Sequence, residues 1–554
     1  MPCENQDQQG FERGLKPRFS SRRLPDLLAI TTLIIVAAVA GLTFRDYGLG
    51  WDDYTHAQYG DLLLSLYRSG FADRRAFTFV NLYMYGGGFD MLAALAAKIS
   101  PFGLFETRRL AGAGVGLVGL FATWRIGRRV AGPVGGLVAL ILLATCPLYY
   151  GHMFMNPKDA PFAAAMALLL LGLVRSLEEY PRATPQTVAL FGVGLGLTVG
   201  SRIIGGMAGL YAAAAIALII AVEARRSGLR DAGVCAGRFV LSLAPGLVIA
   251  YLVMGLVWPW AVIDPLNPVR SLEYFSVFFE KPWKEMFAGA LVPVPDMPRS
   301  YVPTLFALQM PEAFLALALA GTVLALIATV RGEEPLPRRA ALLLLAAAAI
   351  VPIVIALVTR PALYNGIRHF VFVTPPLATL GGLAGARLYD WLAGRGRAAA
   401  AAGIALFAAA GALPAVELVR LHPFQYTYFN RIAGGVAGAD ERYMLDYWGL
   451  SLKQAAEALR ARLAAQHETP PAGRPWKIAV CGPHPPAEVA LGTDFVTTWN
   501  PNGADFALML GEFYCATFDA PVIAEVAREG VVYARAYDIR GRSFTTLFTI
   551  PPVE

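Results

Sequence analysis

Two aspartates stand side by side at Asp52-Asp53, in GLGWDDYTHAQYGD, and Lys158-Asp159 forms a second charged pair in YYGHMFMNPKDAPF. Further along come Arg202, in GSRIIGG, and Arg368-His369, in YNGIRHF. Adjacent carboxylates suit a general-base task, drawing a proton from a hydroxyl. Lysine and arginine suit a phosphate, arginine because its planar fork binds two oxygens at once. A hydroxyl activated beside a clamped phosphate is the chemistry of group transfer from a phosphate-linked donor. His56, His152, Asn156 and His369 lie near these groups in sequence and are candidate substrate contacts. His56 and His152 read as hydrogen-bonded structural histidines rather than metal ligands. Each charged residue also has a plainer reading. Asp52-Asp53 could be a solvated loop pair, Asp159 a helix cap ahead of Pro161, and Arg202 and Arg368 interface residues reaching back to water.

Membrane segments must position these residues. The chain has 554 residues, 56% hydrophobic and 16% charged, against about a quarter charged in soluble domains. That balance excludes a disordered chain, a disulfide-rich secreted miniature and an ordinary soluble enzyme. The net charge of +7 is carried by loops, so it speaks to membrane orientation and not to nucleic acid. Taking about 20 apolar residues per span, eleven spans are predicted: 27–44, 108–124, 132–150, 161–177, 187–203, 205–221, 239–258, 310–330, 340–358, 370–389 and 399–416. Arginines mark every second loop, at Arg125 to Arg129, Arg225 to Arg230, Arg331 to Arg339 and Arg395 to Arg397, and the N-terminal tail is basic too. The positive-inside rule then predicts a cytoplasmic N-terminus. Asp52-Asp53, Lys158-Asp159, Arg202 and Arg368 all fall on the opposite, outer face. Charge near membrane depth is costly, about 2.5–3.5 kcal/mol per residue at a helix centre, and usually marks function.

The predicted organisation is an all-α polytopic membrane domain with a small C-terminal α/β domain. Residues 1–24 are a cytoplasmic basic tail. Residues 25–420 form the membrane domain, with long outer loops at 45–107 and 259–309. Within the first loop, 54–68 and 91–104 read as interfacial helices. Residues 421–554 form the extracytoplasmic domain, with a helix at 451–466 and strands at 476–482, 494–499, 504–510 and 530–539. The segment 520–530 reads as a further helix. Cys481 and Cys515 share this domain, where one disulfide or two buried thiols are equally open. No cysteine–histidine cluster has zinc spacing.

At these residues the chain resembles the GT-C glycosyltransferase superfamily. Within it, the chain is most similar to the bacterial relatives of the protein O-mannosyltransferase and aminoarabinose transferase group, glycosyltransferase family 39. The resemblance covers roughly 24–416. It rests on the acidic pair soon after the first span, the long first outer loop, the KDAP turn and the soluble C-terminal domain. It implies a glycosyltransferase of the bacterial cell membrane that takes a sugar from a polyprenyl-phosphate donor, with inversion. The acceptor would be a hydroxyl on a glycolipid, polysaccharide or protein. It further implies Asp52 as catalytic base, Asp53 as orienting the acceptor, and Asp159 as a second acid. Lys158, Arg202 and Arg368 would bind the donor phosphate, and no catalytic metal or cofactor is expected. The family pair is often Asp-Glu, and the Asp-Asp here leaves open which carboxylate reaches the hydroxyl. The resemblance does not explain residues 421–554. Acceptor selection, site cover and fold support are the roles open to them, with 428–435 and 445–451 the first places to look for acceptor contacts.

Two other classes fit parts of the pattern. A transporter or flippase of lipid-linked sugars would also need many spans and basic residues. Transporters tend to hold ligands near the bilayer midplane on broken, repeated helices, whereas the acids here lie in outer loops. A lipid-binding scaffold would leave the carboxylates unconnected to one another. The transferase reading therefore requires that Asp52 and Asp159 converge.

Overall fold

A bilayer offers no partner to backbone amides, so apolar segments must satisfy their own and become helices. In the computed structural model, which describes residues 23–276 and 283–549, nine helices among the described residues are long and apolar enough to cross a membrane. The chain is an integral, multi-pass membrane protein. The basic tail expected at 1–24 lies almost wholly outside the described residues, as does the middle of the second outer loop.

Nine is fewer than the eleven spans predicted, and local chemistry accounts for both differences. The predicted spans 108–124 and 132–150 are counted once, within Leu104–Ala144, but that stretch breaks at Gly132, φ 75°, just before Pro133, and keeps them as two segments. The chain doubles back there: a Cβ on Gly127 would lie 3.0 Å from the Ala139 Cβ. The predicted span 187–203 is the helix Pro185–Ser201, whose 17 residues fall short of the usual spanning length.

Small residues let these helices approach closely, as lipid-embedded packing requires. A Cβ on Gly321, in Glu312–Arg331, would stand 1.8 Å from the Leu380 carbonyl oxygen in Thr374–Ala393. Thr374–Ala393 is buried along most of its length and packs against Leu104–Ala144 as the centre of the bundle. Arg397–Arg420, by contrast, buries only Pro414. The basic loops gather at one end. Arg128 pairs with Asp26 at 2.7 Å, Arg338 pairs with Glu334 at 2.7 Å, and the Arg338 Nε donates to the Val130 carbonyl.

At the other end the first outer loop folds into Asp53–Arg68 and the short helix Gly88–Ala97, close to the two interfacial helices expected. The C-terminal region carries the helix Leu452–Ala465 and a five-stranded mixed sheet. Across the sheet run Phe495–Thr498, Trp476–Cys481, Phe506–Leu510, Val531–Asp538 and Val522–Arg528. The first three are parallel and the last two pair antiparallel. The segment 520–530 is thus not a helix. Its β-branched Val522 and Val526 pair with the next strand, Ile523 standing at a bulge, through a turn whose Glu529 and Gly530 both have positive φ, the geometry tight hairpins favour. Cys481 and Cys515 are bonded to each other. One hydrophobic core runs without interruption from the membrane helices into this sheet.

Gly321→Val should overpack the central helix contact and cost roughly 1–3 kcal/mol. Thermal unfolding in detergent checks this, and an unchanged Tm would contradict the contact.

Candidate active site

The short segment between the first span and Asp53–Arg68 sets where the acidic pair stands. It is gripped by the C-terminal region. The Asp46 carbonyl accepts from Gln454 at 2.9 Å, the Asp46 carboxylate pairs with His422 at 2.8 Å, and the Tyr47 hydroxyl donates to Gln425 at 3.0 Å. A Cβ on Gly48 would lie 2.2 Å from the Leu450 carbonyl oxygen, so only glycine allows this approach.

The two aspartates then take different environments. Asp53 is buried, and both its oxygens bind Arg109, at 2.8 and 2.6 Å, while the Gly50 N–H donates to it at 2.7 Å. Arg109 also donates to the Phe154 carbonyl at 3.2 Å. Asp53 is thereby saturated and does not join the open cluster. Asp52 sits at the N-cap of the same helix but makes no capping bond. Its side chain is 35% exposed and its carboxylate meets the Lys158 ammonium at 2.8 Å. Burial by surrounding protein pushes the Asp52 carboxyl up, but Lys158, His56 and Arg368 together outweigh that and hold it well below the usual carboxylate range.

Asp159 forms the second centre. Arg202 pairs with one of its oxygens at 2.8 Å and Arg368 with the other at 3.2 Å. The capping expected of Asp159 is done by Asn156, whose Oδ1 accepts the Lys158 and Asp159 N–H groups at 3.0 and 2.7 Å. Asn156 Nδ2 donates to Asp159 at 2.8 Å and to His152 Nδ1 at 3.0 Å. That makes His152 Nδ1 an acceptor, so Nε2 carries the hydrogen and donates to the Tyr447 hydroxyl at 3.1 Å. Asn156 and His152 are therefore brought to the site as its scaffold, with their polar atoms already used. His56 binds Asp90 at 2.6 Å through Nδ1, and its Nε2 has no partner among the described residues. His369 sits beside Tyr364 with ring centroids 5.2 Å apart, and its buried Nδ1 is also unpartnered.

The two centres are one cluster. The Tyr85 ring lies between Lys158 and Arg202, each 5.6 Å from its centroid. Arg368 faces Tyr364 at 4.9 Å and Trp448 at 5.4 Å. Among the described residues, Lys158, Arg202 and Arg368 thus meet only Asp52 and Asp159 in direct ion pairs. The Nε atoms of Arg202 and Arg368 have no hydrogen-bond partner among the described residues. Such a set has one positive charge to spare and idle donors to present to an anion. Two cavities of about 620 and 600 Å³ lie elsewhere and include none of these five residues.

Several participants were not anticipated. Arg108 and Arg109 open the predicted span 108–124, and two charges at the outer end of a span were a signal that buried carboxylates await them. Arg108 pairs with Asp90 at 2.7 Å and Arg109 with Asp53. Tyr85 and Tyr364 carried no such signal, because aromatic residues are abundant in any membrane protein, whereas Tyr447 and Trp448 lie in 445–451, a segment singled out for acceptor contacts.

Residues 88–254 match the family described as dolichyl-phosphate-mannose-protein mannosyltransferase. That segment holds Lys158, Asp159 and Arg202. No curated protein sequence matches the chain. Among solved structures, the chain is similar to ArnT from Cupriavidus metallidurans in the apo state, at 17% identity over 92% of this chain and 97% of that one, TM-score 0.47. It is similar to the same protein bound to undecaprenyl phosphate, at 16% identity over 94% and 99%, TM-score 0.45. A third likeness is to the archaeal oligosaccharyltransferase AglB from Archaeoglobus fulgidus, in complex with an inhibitory peptide and a dolichol-phosphate. There the identity is 12% over 88% of this chain and 69% of that one, TM-score 0.49.

The unequal surroundings of the acidic pair have a measurable consequence. Asp53→Ala leaves Arg109 buried and unpaired and should cost about 3–5 kcal/mol of stability. Asp52→Asn, at a half-open pair, should cost no more than about 1 kcal/mol. Thermal unfolding of the two variants in detergent reads this directly, and equal losses would contradict the division.

Proposed function

We propose that this protein is a membrane glycosyltransferase that moves a sugar from a polyprenyl-phosphate donor to an acceptor hydroxyl at the extracytoplasmic face. The observation that carries this reading is the convergence of Asp52 with Asp159 and three cations at one end of the bundle, with positive charge to spare. The match of residues 88–254 to a family that takes mannose from dolichyl phosphate supports it. The opposite end, with its arginine loops, then faces the cytoplasm of a bacterial cell.

In this reading Asp52 is the base. Its depressed carboxyl is ionised at every physiological pH, so it accepts a hydrogen bond from the acceptor hydroxyl without first losing a proton. The hydroxyl oxygen attacks the anomeric carbon and its proton passes to Asp52. The bond from that carbon to the phosphate oxygen breaks, and its electron pair stays with the phosphate. A single displacement of this kind inverts the anomeric centre. Negative charge grows on the departing phosphate, and Lys158, Arg202 and Arg368 stand ready to stabilise it. Lys158 serves twice: a phosphate that draws its ammonium away from Asp52 makes that carboxylate a stronger base as the donor binds. Asp53 acts one step removed, holding the turn on which Asp52 stands. The acceptor would be a glycolipid, a polysaccharide or a protein.

The test is sugar transfer by purified protein in nanodiscs, using polyprenyl-phosphate monosaccharides with labelled sugars. Wild type should release polyprenyl phosphate without any nucleotide sugar. Asp52→Asn should lose about 100-fold or more, the usual weight of a general base, with folding intact. Full activity in Asp52→Asn removes it from the chemistry. Movement of the donor across the membrane with no bond broken would make the protein a transporter.

A further inference from the structure

A hairpin from the second outer loop reaches in behind the cation cluster. Its strands, Lys284–Phe287 and Ala290–Pro293, pair antiparallel. Glu285 on the first strand is buried, at 2% exposure. Its carboxyl accepts from the Tyr301 hydroxyl at 2.7 Å, the Asn365 N–H at 2.7 Å and the Gly366 N–H at 3.5 Å. Asn365 and Gly366 both have left-handed backbone, φ 58° and 68°. Backbone N–H groups in such a turn converge to form a concave seat for an anion. Here a side chain of the same protein fills that seat. Trp283, just before the strand, packs its ring 5.1 Å from Tyr364. The hairpin therefore holds the turn 364–366 from two sides.

Arg368 begins two residues later. Its guanidinium is steered by one ion pair to Asp159 and by the faces of Tyr364 and Trp448, and its Nε has no hydrogen-bond partner among the described residues. Where that guanidinium points depends on the turn leading into it. Asparagine and glycine take the left-handed region most readily, so the turn's shape is local, and the Glu285 bonds fix where it sits. Glu285 makes no bond to Arg368 itself. At its far end the hairpin is tied to the C-terminal region: the Gly289 N–H donates to the Arg442 carbonyl at 3.0 Å, and Phe287 forms a β-bridge with Tyr443.

We propose that Glu285 is a positioning residue, whose carboxyl seated in the Asn365–Gly366 turn sets the Arg368 guanidinium to receive the lipid phosphate. The inference rests on Arg368 being a phosphate ligand, as argued above. It gives the second outer loop and the C-terminal region a defined route to the donor site, through one hairpin and one turn. Burial pushes the Glu285 carboxyl up to about 7, against the pull of Tyr301, Asn365 and Gly366. At neutral pH it is shared between acid and anion, and either form keeps one oxygen for the Asn365 N–H while the other meets Tyr301 and, at longer range, the Gly366 N–H. A neutral amide should therefore substitute for it.

The experiment measures binding of undecaprenyl phosphate to the full-length protein in nanodiscs. Glu285→Ala should weaken binding about tenfold, equivalent to about 1.4 kcal/mol. Glu285→Gln should keep it within about threefold. Arg368→Gln should weaken binding on its own, and adding Glu285→Ala to it should cost nothing further, because the first acts through the second. If the alanine variant fails to fold, Glu285→Asp, too short to reach the turn, carries the same expectation. Wild-type affinity in Glu285→Ala or Glu285→Asp, or full additivity with Arg368→Gln, overturns the inference while leaving the donor reading standing. A wild-type protein that does not bind undecaprenyl phosphate overturns both.

Discussion

The site depends on a charge imbalance held in place. Three cations, Lys158, Arg202 and Arg368, are drawn together by only two carboxylates, Asp52 and Asp159. Gathering like charges away from water is costly unless something offsets their repulsion. Asp159 does most of this by bridging two arginines. The rest falls to aromatic faces: Tyr85 between Lys158 and Arg202, and Tyr364 and Trp448 around Arg368. Rings attract cations without neutralising them. The cluster is therefore stabilised and still one negative charge short, which is what a site for a phosphate-bearing ligand needs.

A second constraint separates the tasks of two identical neighbours. Asp52 and Asp53 have the same side chain, yet one meets solvent and an ammonium, and the other is locked to a buried guanidinium. The helix start dictates this. Adjacent residues there point about 100° apart, so one faces the cations and the other faces Leu104–Ala144. The C-terminal region is part of the same device, since His422, Gln425, Leu450 and Gln454 hold the residues just upstream. It also sends Tyr447 and Trp448 into the cluster. The contacts from His422, Gln425 and Gln454 hold the segment that carries the acids, a part the sequence did not assign to this region.

Much of the membrane architecture was legible because hydropathy and arginine placement are local signals. The strands at 476–481 and 506–510 were legible for the same reason, as short apolar runs between turn residues. The segment 520–530 was misread because its alternation is weak and its strand character comes from the partner at 531–538, a contact no single window contains. The reversal at Gly132 was legible too, because Arg125 to Arg129 fall between the two predicted spans that it separates. Within the site, the charged residues stood out because ionisable groups are rare at that depth. Their sorting did not: that Asp53 is saturated and Asp52 is not follows from Arg109, which is 56 residues away. Glu285 was invisible for a related reason, because its partners lie on a turn 80 residues further on.

The central claim is that these three cations form a lipid-phosphate site beside Asp52. A structure of the protein with a polyprenyl phosphate bound tests it most directly. The account predicts phosphate oxygens about 2.7–2.9 Å from Lys158, Arg202 and Arg368, with the isoprenoid chain leaving between membrane helices. A phosphate seated instead in either of the two large cavities, with the cation cluster unchanged, would contradict it.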